Sequence, residues 1–234
     1  MTNKNNIALW YGEIIADEQS NQHYWQVLDV AERAQAEKMR KPLINQRYIE
    51  VHGRLRFLLA DYLQQQPRHI RIARTDHGKP YLIDFPDIVF NISHTGQYLV
   101  VVIGHACQLG VDLELCQPRY NLPGMVDKCF APEEAAYWHA QPETQKTIEF
   151  HRFWTKKEAF VKATGRGIAL GLNRCVVDPE NSTHFLSLPS EYTPVENWRI
   201  IDLQELLPNW ETPDLCGALV VDKNIENITY LTDH

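Results

Sequence analysis

An α+β fold made of two similar lobes in one chain is what the sequence predicts, and three observations carry the prediction. The chain has 234 residues, more than a minimal domain needs and close to the sum of two lobes of roughly 100–120 residues. Its hydrophobic (44%) and charged (23%) fractions are ordinary globular values, which excludes a disordered or collagen-like chain. Helical and strand patterns are interleaved, with helices followed by strands in each half and no repeat of the sequence itself.

In chain order, residues 7–11 (Ile-Ala-Leu-Trp-Tyr) read as a first strand. Residues 29–39 read as a helix, because Asp29 is a good N-cap and Glu32, three residues on, completes a capping box. Pro42 is expected to end or interrupt it. Residues 45–63 form a second helix, with Tyr48, Val51, Leu55, Leu58, Leu59 and Tyr62 at helical spacing and Arg47, Arg54 and Arg56 on other faces. Residues 70–74 alternate as a strand before the turn Asp76-His77-Gly78-Lys79-Pro80, and strands follow at 89–93, 98–103 and 109–115. A Pro/Gly-rich loop at 117–124 leads to helices at 132–139 and 148–164, the latter stopped by Gly165. Short strands at 174–177, 198–202 and 215–221 complete the chain.

The net charge of −7 argues against a surface that grips nucleic acid or anionic lipid. That average hides two basic segments, residues 29–80 at +5 and 146–166 at +4, a pattern expected if both face one polyanionic ligand but equally of two ordinary solvated helices. No run of apolar residues approaches the ~20 that a membrane-spanning helix needs, and the N-terminus has no signal-peptide pattern, so a cytoplasmic protein is expected. The five cysteines (107, 116, 129, 175, 216) include no C-x-x-C pair and read as free, mostly buried thiols.

Chemistry would sit in three places. Asp112 and Glu114 alternate with Val111, Leu113 and Leu115, so the two carboxylates share one strand face. Such a pair suits Mg²⁺, which is content with one or two carboxylates and the phosphates of a substrate, although the pattern alone also fits a solvated strand face. Glu158 and Lys162 lie at i and i+4 on one helix face, either as a helix-stabilising ion pair or as a third carboxylate and a cation near the same phosphates. Ser93 and His94 lie at a strand end without a nucleophile elbow around them, which favours phosphate binding over nucleophilic catalysis.

Taken in order, Gly78-Lys79-Pro80, Phe90-Asn91-Ile92-Ser93-His94-Thr95, Gly110-Val111-Asp112-Leu113-Glu114, Cys129-Phe130-Ala131-Pro132-Glu133-Glu134, and Phe153-Trp154-Thr155-Lys156-Lys157-Glu158-Ala159 through Lys162 to Gly167 resemble the signature of the 4′-phosphopantetheinyl transferases of the surfactin-synthetase-activating type. The resemblance implies a pseudo-twofold pair of α+β lobes, here residues 1–107 and 108–234, with coenzyme A and the metal site at their interface. It implies transfer of 4′-phosphopantetheine from coenzyme A to a serine of an apo acyl or peptidyl carrier protein, releasing adenosine 3′,5′-bisphosphate, in fatty-acid, polyketide or nonribosomal peptide synthesis. Asp112, Glu114 and Glu158 would be the ligands of Mg²⁺, for which Mn²⁺ can substitute. Glu158 would also be the general base, and Lys162 would neutralise or protonate the leaving phosphate. Ser93, His94, Lys79 and Arg47 would contact the phosphates of coenzyme A, with Arg56 a weaker contact. The chain departs from the family pattern in carrying His52 where an arginine is frequent. An acidic helical carrier is the implied partner, with no nucleic acid or membrane, and a monomer suffices because the cleft lies within one chain. Two other readings of the same residues are a Mg²⁺-dependent enzyme acting on nucleotide phosphates and a non-catalytic carrier-binding module using the basic helix 146–166.

Overall fold

A computed structural model describes residues 6–207, 210, 212, 214–222 and 224–232. The chain opens with strand β1 (Asn6–Glu13), followed by helices α1 (Glu18–Trp25) and α2 (Val30–Glu37). Asp17 caps α1 by accepting from the Ser20 amide, and α2 has the expected capping box, Glu32 N to Asp29 Oδ1 at 2.8 Å and Asp29 N to Glu32 Oε2 at 3.0 Å. The 22-residue helix α3 (Pro42–Leu63) begins at Pro42. Helix α2 ends at Glu37, before Pro42, as expected, but the next helix starts at Pro42 and not at residue 45, because in a first turn the missing N–H of proline costs nothing and its fixed φ suits helix entry.

A small hairpin, β2 (Ile72–Arg74) and β3 (Pro80–Leu82), precedes the antiparallel pair β4 (Ile88–Thr95) and β5 (Tyr98–His105). After a three-residue link in which Ala106 turns with φ +48°, the plan repeats. Strand β6 (Leu109–Leu115) is followed by two short helices, α4 (Leu122–Cys129) and α5 (Pro132–Ala140), and by a second 22-residue helix, α6 (Glu143–Thr164). Then come a small hairpin, β7 (Val176–Val177) and β8 (Phe185–Ser187), and the strand β9 (Arg199–Asp202), the short helix α7 (Leu203–Leu206), β10 (Leu215–Val221) and β11 (Asn227–Tyr230).

The repetition extends to pairing. In the first sheet β5 lies between β1 and β4, and in the second β10 lies between β6 and β9, antiparallel throughout. Strand β11 pairs parallel to β1 on its free edge. The lobe expected over 108–234 therefore returns its last described strand to the first sheet.

Alternation along the central strands layers the molecule. Leu99, Val101 and Ile103 of β5 pack with Val51, Leu55 and Leu58 of α3. Their neighbours Val100 and Val102 meet Val111, Leu113, Leu219 and Val221 of the second sheet. Ala218 and Val220 turn the other way, toward Phe150, Phe153 and Phe160 of α6. The order is helix, sheet, sheet, helix, with each sheet buried on both faces.

Candidate active site

The site forms where α6 crosses β6. Gly110 makes the crossing possible, since a Cβ there would stand 2.2 Å from the Ala159 carbonyl oxygen and 2.3 Å from the Ala163 amide nitrogen. With no side chain in the way, the helix backbone lies directly on the strand. The face of β6 that carries Gly110 also carries Asp112 and Glu114, so the contact sets Glu158 and Lys162 beside these acids. Lys162 Nζ lies 2.7 Å from Asp112 Oδ1 and also donates to Ser93 Oγ (3.0 Å) and the Val111 carbonyl (3.1 Å).

A ladder of side chains joins the two sheets at this point. Asn91, Ser93 and Thr95 alternate along β4, and their oxygens accept from the amides of Val111 (2.9 Å), Leu113 (3.2 Å) and Leu115 (3.2 Å) of β6. Ser93 is the hub, because its Oγ also donates to Asp112 Oδ1 at 2.9 Å. Accepting from Leu113 and Lys162 and donating to Asp112 uses the full hydrogen-bonding capacity of a hydroxyl. In this arrangement Ser93 orients Asp112 and does not present a free donor to the cavity.

The carboxylates crowd one another. Burial, and then the charges of Asp112 and Glu114, push Glu158 up to about 7. Glu114 is raised by burial and by Asp112, against the pull of Arg119. Among the described residues no three carboxylate, imidazole or thiol groups converge as a metal cage. Asp112 and Glu114 each face a protein cation instead, Lys162 at 2.7 Å and Arg119 at 3.3 Å. The donor set nevertheless fits a hard divalent cation. Asp112 Oδ2 and Glu158 Oε1 are buried oxygens without a hydrogen-bond partner, and Mg²⁺ combines one or two such carboxylates with phosphate oxygens of its substrate.

A cavity of about 960 Å³ opens beside these groups, near the top of the range of about 300–1,000 Å³ for small-molecule sites. Its wall draws on both halves of the chain, including Ser93 and His94 from β4, Lys79 from the turn before β3, and Glu158 and Lys162 from α6. His94 presents its ring to this space. Desolvation by the surrounding walls, then the neighbouring Lys162, His52 and Arg47, holds it below the usual imidazole value. Arg47 thus acts on His94 electrostatically, and its buried Nε has no hydrogen-bond partner.

Two expected phosphate contacts are engaged elsewhere. Arg56 is wholly buried and holds Asp29 Oδ2 (2.5 Å), Glu32 Oε2 (2.6 Å) and the Ile70 carbonyl (2.7 Å). It ties α2 to α3, which corrects its reading as a phosphate ligand. Lys79 lines the cavity, but its Nζ donates to the carbonyls of Leu109 (3.2 Å) and Ala163 (2.6 Å), capping the C-terminal end of α6. Gly165, with φ +69°, ends the helix there and lets the Lys79 stem pass, since a Cβ would meet Lys79 Cδ at 3.0 Å.

The basic segment 146–166 is also less open than its charge suggests. Lys156 and Lys157 are fully buried, bonded to Asp202 (3.1 Å) and Glu134 (2.6 Å) respectively. Glu134 further accepts from the Ala131 and Val177 amides, so it is a structural anchor. The sequence reading missed Arg74, His77 and Tyr48 in the cavity wall. It missed Arg119 as well, whose guanidinium lies over Trp154 (5.6 Å) and Phe150 (5.9 Å) while it faces Glu114. Nothing in the loop around residue 119 signalled that contact.

Comparison with known proteins points the same way. A family model described as 4′-phosphopantetheinyl transferase superfamily matches residues 108–211, and one described as 4′-phosphopantetheinyl transferase, N-terminal, matches residues 18–106. The 4′-phosphopantetheinyl transferase HetI of Nostoc sp. is 32% identical over 166 residues, which cover 70% of this chain and 70% of HetI. A 4′-phosphopantetheinyl transferase of Bacillus subtilis is 32% identical over 159 residues, 65% of this chain and 68% of that protein. Sfp of Bacillus subtilis is 28% identical over 141 residues, 60% of this chain and 62% of Sfp. With family models that match both halves and a relative 32% identical over 70% of its length, the chain belongs to the 4′-phosphopantetheinyl transferase family.

Proposed function

We propose that this chain moves the 4′-phosphopantetheine arm of coenzyme A onto a serine of an apo acyl or peptidyl carrier protein, with coenzyme A held in the cavity between two lobes divided near residues 107 and 108. The observation that carries the reading is that Glu158 and Lys162, the latter paired with the buried Asp112 at 2.7 Å, line one side of a cavity of about 960 Å³ whose wall comes from both halves.

The reaction forms a bond from the serine oxygen to the pantetheine phosphorus and breaks the phosphoanhydride, releasing adenosine 3′,5′-bisphosphate. Glu158 is the group placed to take the serine proton, directly or through a water, because its Oε1 is unengaged. Lys162 balances charge on the departing phosphate while Ser93 keeps Asp112 oriented. His94 and Arg47 supply donors toward the phosphates. Mg²⁺ held by Asp112, Glu114 and Glu158, with Mn²⁺ able to substitute, would add positive charge to the diphosphate as the anhydride breaks. Lys79 acts on this site through α6, by fixing the helix end that carries Lys162.

No helix of the described residues is long and apolar enough to cross a membrane. We read the protein as cytoplasmic and, because the cleft needs no second subunit, as a monomer. Incubation with coenzyme A, Mg²⁺ and a panel of apo carriers tests the function. A fixed mass increase on the carrier serine is expected, and no transfer to any carrier in the panel would refute it.

A further inference from the structure

Cys116 and Cys216 lie 100 residues apart in sequence and meet in space. In the antiparallel pairing of β6 with β10, Leu115 stands opposite Leu215 and Glu114 opposite Cys216. Residues directly opposite share a face, and so do residues two apart on one strand. Glu114, Cys116 and Cys216 therefore project to the α6 side of the sheet, where Cys216 Sγ lies 4.0 Å from the Ile148 carbonyl oxygen. The two sulfurs are in contact, Sγ to Sγ 2.7 Å, and both are free thiols.

We propose that Cys116 and Cys216 form a modification site, a thiol pair that a low-molecular-weight disulfide converts to an intramolecular disulfide. Their placement divides the roles. Cys116 lies one residue beyond the end of β6 and is half-buried, so a reagent reaches it first. Cys216 is buried and in contact with the Cys116 sulfur, so a reagent meets Cys116 first and Cys216 is the resolving partner.

The Cys116 thiolate attacks one sulfur of the reagent, breaking the reagent's S–S bond and expelling a thiolate. Cys216 gives up its proton to that leaving thiolate and attacks the Cys116 sulfur of the mixed disulfide, expelling the second reagent thiolate, which is protonated by the proton Cys116 released at the start. Two protein thiols are oxidised and one reagent disulfide is reduced to two thiols. The new bond ties the end of β6 to the start of β10. It sits beside Glu114 and immediately before the loop that carries Arg119.

The test uses the full chain, reduced and then incubated with oxidised glutathione, after which free thiols are alkylated and the protein is weighed and mapped without reductant. The expected product has lost two hydrogens, keeps three alkylatable thiols of the five, and yields one linked peptide pair containing residues 116 and 216. It reverts with dithiothreitol and unfolds at a higher temperature than the reduced form, because the crosslink closes a long loop. Cys216→Ser should instead accumulate a stable glutathione adduct on Cys116. Five alkylatable thiols in the treated wild-type protein, a lasting glutathione adduct on its Cys116, or a link from Cys116 to another cysteine would overturn the proposal. Mass is the readout, so the result is independent of whether the chain transfers phosphopantetheine.

Discussion

Lys162 of α6 stands 2.7 Å from Asp112 of β6, and both bond to Ser93 of β4. One helix residue and two strand residues, one from each sheet, meet at a single hydroxyl because Gly110 lets the helix backbone rest on the strand. The site is therefore a property of the junction between the two halves, and changes at the junction should be felt in the chemistry.

Gly110→Ala is the sharpest probe of that dependence. Its new methyl would collide with backbone atoms of Ala159 and Ala163, so α6 must shift away. A stability loss of about 1–3 kcal/mol is expected from overpacking, along with at least a tenfold fall in transfer rate, about 1.4 kcal/mol of barrier. Urea unfolding and carrier-modification kinetics measure the two, and unchanged values in both would show that the close approach is dispensable.

The side-chain ladder separates structure from catalysis. Thr95→Val removes one acceptor from the Leu115 amide and Ser93→Ala removes another from Leu113, so each should cost about 1 kcal/mol of stability. Ser93→Ala should in addition slow transfer markedly, because Asp112 and Lys162 lose their shared hydroxyl. Equal rates in the two variants would mean that Ser93 does not position the acid.

Crowding of three carboxylates implies a conflict between stability and function. In metal-free buffer Glu158→Gln removes one negative charge from beside Asp112 and Glu114, and the variant should be more stable than the parent by on the order of 1 kcal/mol. Transfer should fall to background. A variant that is both less stable and fully active would contradict the description of the site.

Arg56 and Arg47 should behave oppositely. Arg56→Met leaves Asp29 and Glu32 without their buried partner and should destabilise the fold by roughly 3 kcal/mol or more, while the folded protein keeps its affinity for coenzyme A. Arg47→Ala should weaken coenzyme A binding with little loss of stability. Calorimetric titration and thermal unfolding of both variants check the pair.

Lys79 gives the fold a pH signature. Burial holds its ammonium down to about 8, below the ordinary 10.5, so the unfolded chain binds this proton more tightly. Below pH 8 both states are charged and the full cost of burying the charge is felt. Stability then rises between about pH 8 and 10.5 as the folded lysine becomes neutral first, by about 1–2 kcal/mol after allowing for solvent screening. Lys79→Met should flatten that rise in urea midpoints, and an unchanged slope would assign it to other groups.

Much of this was legible in the sequence, for local reasons. The capping box of Asp29 and Glu32, the stop at Gly165 and the alternation of residues 109–115 all depend on near neighbours, and each lies where expected. What sequence did not disclose depends on distant partners. Basic residues read as ligand-facing turned inward where an acid waited, as Arg56 met Asp29 and Glu32 and Lys157 met Glu134. Helix α1 was missed because its largely polar residues give little helical periodicity. Strand β11 was missed because it is mostly exposed and takes its place by pairing with β1 from the far end of the chain. Asn91, Ser93 and Thr95 were visible as polar residues at a strand end, but their service as a ladder between sheets required β6 to be in place.

The decisive comparison sets the wild-type protein beside Glu158→Gln, each with coenzyme A, Mg²⁺ and an apo carrier, while coenzyme A binding is measured in parallel. In the wild type the carrier serine should gain phosphopantetheine with release of one adenosine 3′,5′-bisphosphate, and in the variant it should gain nothing despite retained binding. Equal transfer by both proteins would contradict it.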